Sequence, residues 1–143
     1  MALIGLELSS TQDYTFSGDP AKGTDDATVF VLGTLTARQR AYIKDQATAL
    51  EDGDDGDPTL KFKANFSALA AFRLGVKDIK NFVDEKGKEI KFTSLKTNVG
   101  GTKGTLVSES IVDRLPFEVI QEVSEKIMNE NEVTEEEAKN SEG

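Results

Sequence analysis

The sequence predicts an α+β fold: a small sheet or β-hairpins packed by three to four helices, with an acidic C-terminal tail. Three observations predict it. The run ATVFVLGTL, residues 27–35, has the β-branched and aromatic content of a strand. Behind Pro116, the residues Phe117, Ile120, Val123, Ser124 and Ile127 recur at helical spacing. Residues 129–143 carry six acids against Lys139, a net of −5, which is the composition of a solvated tail. One globular domain over residues 1–128 and a tail over 129–143 are therefore expected, and no internal repeat is visible.

Taken in order, residues 3–8 (LIGLEL) read as a short strand. Tyr14 and Phe16 alternate with polar neighbours, as in a half-buried strand. SGDPAKGTDD, residues 17–26, is turn chemistry, so a hairpin joining this strand to 27–35 across a long loop is the simplest arrangement. Thr36 is placed to cap a helix over 36–50. Ala37, Ala41, Tyr42, Ile43, Ala47 and Leu50 are its expected inner face. EDGDDGDP ends that helix. Beyond Pro58 the pattern is two-valued: Leu60, Phe62, Ala64 and Phe66 alternate like a strand, while Phe66, Leu69, Ala70 and Leu74 fit a helix. A helix from about Ala64 to Leu74, stopped by Gly75, is the reading adopted. Residues 79–93 predict a β-hairpin turning at Asp84–Gly87, with Gly87 taking positive φ. KTNVGGTKGT reads as a flexible loop. Ser108 can cap a short helix ending near Arg114, Pro116 suits the first turn of the next, and Thr134 with Glu137 has capping-box spacing for a last short turn.

Composition narrows the chemistry. The chain has 143 residues, 37% of them hydrophobic, eight Phe, and a net charge of −9. That charge repels phosphate backbones and anionic membranes, so neither nucleic acid nor membrane is an expected partner. There is no Cys and no His, which removes thiolate chemistry, the commonest general base and the commonest transition-metal ligand. MALIGLELSS has no basic stretch of the signal-peptide kind, and no run approaches the roughly 18 apolar residues of a membrane span. A soluble, intracellular, non-enzymatic protein with no cofactor is expected.

Each candidate site has a plain alternative. Glu51–Asp57 holds five carboxylates in seven residues, so Asp52, Asp54, Asp55 and Asp57 are weak Ca²⁺ candidates. Placing Gly56 at the sixth position of an EF-hand puts Gly53 third and Phe62 twelfth, where ligands belong. A solvated loop is the simpler account. Gly100–Thr105 lacks the Gly-Lys-Ser/Thr core of a phosphate loop, since Thr102 precedes Lys103 and Gly104 follows it. Arg38, Arg40 and Lys44 form a basic face, which suits pairing with the chain's own acids, solvation, or docking of an acidic partner. Paired carboxylates such as Asp25 and Asp26 have no nucleophile or base beside them in sequence. The remaining candidates lie late in the chain: Phe117, Ile120, Val123 and Ile127 on a helix face, and Glu135, Glu136 and Glu137 in the tail, as a surface for a partner.

Three segments carry a family resemblance: GVKDIKNFVDEKGKEIKF (75–92), VSESIVDRLPFEVIQEVSEKIMNENEVTEEEAKN (107–140) and ATVFVLGTLTARQRAYIKD (27–45). In this order they resemble small morphogenesis proteins of tailed bacteriophages and prophages, tail assembly chaperones in particular. The Gly-rich loop over 98–105 departs from that group's compact connector. The resemblance implies a protein–protein role in the host bacterial cytoplasm during assembly, or in the virion. The implied partner is a tape-measure or tail-tube protein, which such chaperones keep soluble, or else a capsid or portal ring. A homo-oligomer is allowed. The rival expectations are a structural virion component (capsid decoration, head–tail connector or tail protein) and a Ca²⁺-binding module or metal-dependent enzyme using residues 51–57.

Overall fold

The computed structural model describes residues 2–52, 57–99 and 101–130, and the side chains of residues 2–45, 65–99 and 101–129. The fold is α+β. Strands β1 (Thr11–Tyr14), β2 (Val29–Gly33) and β3 (Val76–Lys80) form an antiparallel sheet in the order β1-β2-β3. Strands β4 (Ser94–Val99) and β5 (Thr102–Val107) form a separate antiparallel hairpin. Helices α1 (Ala37–Asp52) and α2 (Asp57–Gly75) lie between β2 and β3 in the chain, and α3 (Glu109–Val112) and α4 (Phe117–Glu130) follow β5.

Strand β2 is an unbroken run of β-branched, aromatic and aliphatic residues, Val29–Leu32, whose burial alternates. Phe30 and Leu32 are buried, with half-buried neighbours on either side. In β3 the buried residues are Val76 and Ile79, three apart rather than two. The register explains this: Val31 pairs with Asp78 and Leu32 with Val76, so Lys77 is an extra, bulged residue. The Lys77 amine donates to the Leu74 carbonyl at 3.1 Å, and its stem crosses Gly33, where an added Cβ would lie 2.5 Å from Lys77 Cε. Asn81, at φ 60, ends the strand by donating through its side-chain amide to the Asp25 and Ala27 carbonyls.

Thr36 caps α1, and Gln39 completes the cap. The Gln39 N–H donates to Thr36 Oγ1 at 3.1 Å, and the Thr36 N–H donates to Gln39 Oε1 at 3.0 Å. The inner face of α1 differs from expectation. Ile43 is buried, whereas Ala37, Ala41 and Tyr42 are exposed; Gln39 is buried beside Ile43 instead. A buried capping glutamine takes the place of a fully apolar stripe. Ala47 and Leu50 lie outside the described side chains.

Helix α2 begins at Asp57, one turn and more before the expected start near Ala64, so the strand-like alternation over 60–66 is overruled by helix. Its last turn packs on the sheet, where Phe72 meets Phe30 edge-on with ring centroids 6.0 Å apart. Gly75 ends α2 but does not take positive φ. Its lack of a side chain serves close approach: an added Cβ would lie 2.7 Å from both Cδ1 and Cγ2 of Ile127 on α4. The core joins Phe30, Leu32, Phe72, Leu74 and Val76 to Val119, Ile120, Val123 and Ile127.

Three further expectations are corrected. Residues 3–8 form no strand; they pair with no strand among the described residues and lie exposed. Residues 79–93 form no two-stranded hairpin: Ile79 and Lys80 end β3, and a turn closed by one bridge, Val83 to Glu89, follows with Gly87 at φ 80 as expected. The supposed flexible loop is the β4–β5 hairpin, whose turn contains Gly101 at φ 77. Ser108 occupies the N-cap position of α3 without a side-chain cap bond, and the helix stops at Val112. The Thr134–Glu137 turn and the acidic tail beyond 130 lie outside the described residues. No helix among the described residues is long and apolar enough to cross a membrane.

The Gly75–Ile127 contact yields a direct test. Gly75→Ala is expected to destabilise the fold by about 1–3 kcal/mol through overpacking. Adding Ile127→Val, which removes the crowded Cδ1 methyl, should recover part of that loss although the substitution alone costs about 0.5–1.5 kcal/mol. Urea unfolding of the two single variants and the double variant measures the coupling.

Candidate functional site

The helix face singled out in the sequence is occupied by the chain itself. Ile120, Val123 and Ile127 are each 2% exposed or less, and Phe117 packs half-buried against the same cluster. Their spacing records the burial of α4 against α2 and the sheet, so a partner surface built on these four residues is corrected: three are inaccessible in this fold. Glu135, Glu136 and Glu137 lie outside the described residues, as do Asp54 and Asp55. Asp52 and Asp57 fall at the end of α1 and the start of α2, with side chains outside the description. Among the described residues no group of three or more potential ligands could hold a metal ion.

Among the described residues, a polar clasp and an apolar groove stand out. The clasp centres on Glu122 of α4. Its carboxylate accepts hydrogen bonds from the Tyr14 hydroxyl at 2.8 Å, from the Ser17 N–H at 2.8 Å and from the Ser17 hydroxyl. The Lys126 amine sits 6.0 Å from the centre of the Tyr14 ring, within cation–π range. Burial pushes the Tyr14 hydroxyl up, and the Glu122 charge adds to it, to a pKa of about 12. Burial also raises the Glu122 carboxyl, but the hydrogen bonds from Ser17 and Tyr14 and the Lys22 charge outweigh it, leaving the group below its ordinary value. A tyrosine held protonated and a carboxylate held charged are each fixed in their resting states. The clasp therefore ties the chain after β1 onto α4 and is poorly suited to moving protons.

The groove is an open cavity of about 460 Å³. Helix α2 supplies one wall with Phe66, Leu69 and Ala70, the β4–β5 hairpin supplies Val99 and Leu106, and Tyr42 of α1 closes one side. Glu109 and Asp113 of the α3 turn stand among its lining. Arg73 is the cation there, but its Nε donates to the Val107 carbonyl at 2.9 Å, so it braces α2 against the hairpin. The first turn of α1 holds the hairpin from the other side. Arg38 Nη1 reaches the Gly101 carbonyl at 3.4 Å, and a Cβ on Gly104 would come within 3.0 Å of Gln39 Nε2. Arg38 thus contacts the hairpin turn, which accounts for one member of the basic face.

Such a lining offers dispersion contacts to apolar side chains and few fixed donors or acceptors, the character of a docking surface. Its hairpin was missed in the sequence because 94–107 reads as polar. The signal was present: Gly100-Gly101 stands between two runs of alternating β-formers, a two-residue hairpin connection. No family model, curated protein or solved structure matches this chain at a significant level.

The clasp carries a pH signature. The Glu122 carboxyl is lowered on folding, so its contribution is present above its unfolded pKa near 4.5 and is lost as pH falls through the folded value. The Tyr14 pKa is raised, so its contribution is present below pH 10.0 and is lost as pH rises toward about 12. Near neutral pH, Tyr14→Phe and Glu122→Gln should each lower stability by about 0.5–1.5 kcal/mol. The deficit of Glu122→Gln relative to wild type should shrink below pH 4.5, and that of Tyr14→Phe above pH 10, in urea titrations across pH.

Proposed function

We propose that this chain is a non-enzymatic protein of bacteriophage virion morphogenesis that works through protein–protein contacts, with the α2–hairpin groove as its docking surface. The observation that carries this is the groove itself: open, mainly apolar, and built by elements that brace one another rather than close over it. The lack of His and Cys in the sequence and the resemblance of residues 27–45, 75–92 and 107–140 to phage assembly proteins point the same way.

A tail assembly chaperone is the first form of this proposal. An apolar stretch of a tape-measure or tail-tube protein would lie in the groove, and the chain's net charge of −9 would keep the complex dispersed. A structural virion component is the second form. It is favoured by a specific observation, the exposed aliphatic residues near the start of the chain, which suit lasting contacts between subunits.

Tagged protein recovered from phage-producing cells should bring down a tail or head protein, and Leu106→Glu in the groove should abolish that recovery while leaving the circular-dichroism spectrum unchanged. Enrichment of no phage protein by the wild-type chain would contradict the proposal. Mass spectrometry of purified virions separates the two forms: a chaperone is absent from particles, and a structural component is present in fixed stoichiometry.

A further inference from the structure

The groove and the leading segment of the chain are complementary. Leu3 is 98% exposed, Ile4 86%, Leu6 47% and Leu8 56%. A single exposed leucine is unremarkable, but four large aliphatic residues within six positions form a patch that water disfavours. In an extended chain Ile4, Leu6 and Leu8 fall on one face, spanning roughly 13 Å at about 3.3 Å per residue. The groove, at about 460 Å³, lies within the range of roughly 300–1,000 Å³ typical of sites that enclose a compact ligand.

We propose that residues 2–8 of one copy dock in the α2–hairpin groove of a second copy of this chain. Charge supports this choice of occupant. Two copies at −9 each repel one another, and Glu7 is the one charged residue in 2–8, so this segment approaches a second copy at low electrostatic cost. The topology separates the two halves of the contact. The segment leads into β1, the edge strand farthest from β3, whereas the hairpin meets the sheet through β3. Because segment and groove are different surfaces, the contact is heterologous and repeats head to tail, giving a ring where the rotation closes and a filament where it does not. The inference rests on the groove being a protein-docking site, as proposed above, and adds a second copy of this chain to the proteins it takes.

Sedimentation equilibrium of the full chain over a concentration series tests it. The wild-type mass should rise above that of one chain. The variant Leu3→Asp/Ile4→Asp alters only exposed residues outside the core and should remain a monomer with unchanged melting. Leu106→Glu should also be a monomer. An equimolar mixture of the two should form a one-to-one pair and nothing larger, since one intact segment and one intact groove remain. A wild-type chain that stays monomeric overturns the inference, as does a segment variant that assembles like wild type. If Leu106→Glu alone dissociates the assembly while the segment variant does not, the groove stands as a docking site and the segment falls as its occupant.

Discussion

The close approach of α4 to α2 at Gly75 is the constraint on which the rest of the structure depends. With no side chain on Gly75, Ile127 lies against the end of α2, and the whole apolar face of α4 follows it into the core. Phe72, on the same final turn of α2, meets Phe30 of the sheet edge-on. One helical turn therefore joins sheet to helices, and a methyl group at Gly75 would press on Ile127 of α4. Interiors packed at crystal-like density transmit such a change because few voids can absorb it.

That packing also determines which surfaces are left for partners. With Ile120, Val123 and Ile127 spent inside, an apolar surface stays open along α2, where Phe66 and Leu69 line the groove together with Leu106 and Val99. The walls of the groove are tied to one another, by Arg73 to Val107 and by the first turn of α1 to the hairpin. The clasp at Glu122 does the corresponding work for the sheet: it anchors the chain after β1 and leaves residues 2–8 standing clear. A rigid groove and a free aliphatic segment on one chain are the parts that repeated assembly requires, and the acidic remainder of the surface limits contact elsewhere.

The elements most legible in the sequence were those whose local pattern and tertiary role agree. Phe30 and Leu32 alternate as a half-buried strand and are one; Thr36 caps a helix because its hydroxyl and Gln39 satisfy each other; Gly87 sits in a turn that needs positive φ. The failures came where pattern and context part. LIGLEL has strand periodicity but no strand to pair with. Residues 60–66 fit both periods, and helix prevailed. KTNVGGTKGT is polar because β4 is largely exposed, which conceals a hairpin behind the composition of a loop. For the site, the apolar spacing of Phe117–Ile127 was read correctly, but spacing alone does not say whether the covering surface belongs to the same chain. The groove draws on α1, α2, α3 and the hairpin together, and no local window contains it.

Helix α4 belongs to the core, and the proposal assigns the groove to partners. Native-state hydrogen exchange, followed residue by residue with and without self-assembly, measures this most directly. In the isolated chain the amides of Val123 and Ile127 should exchange only through global unfolding, while amides around Val99 and Leu106 should gain protection on assembly beyond the rise that added global stability gives every amide. Rapid exchange along α4 in the isolated chain, with new protection there on assembly, would contradict it and return the α4 face to the role of a partner surface.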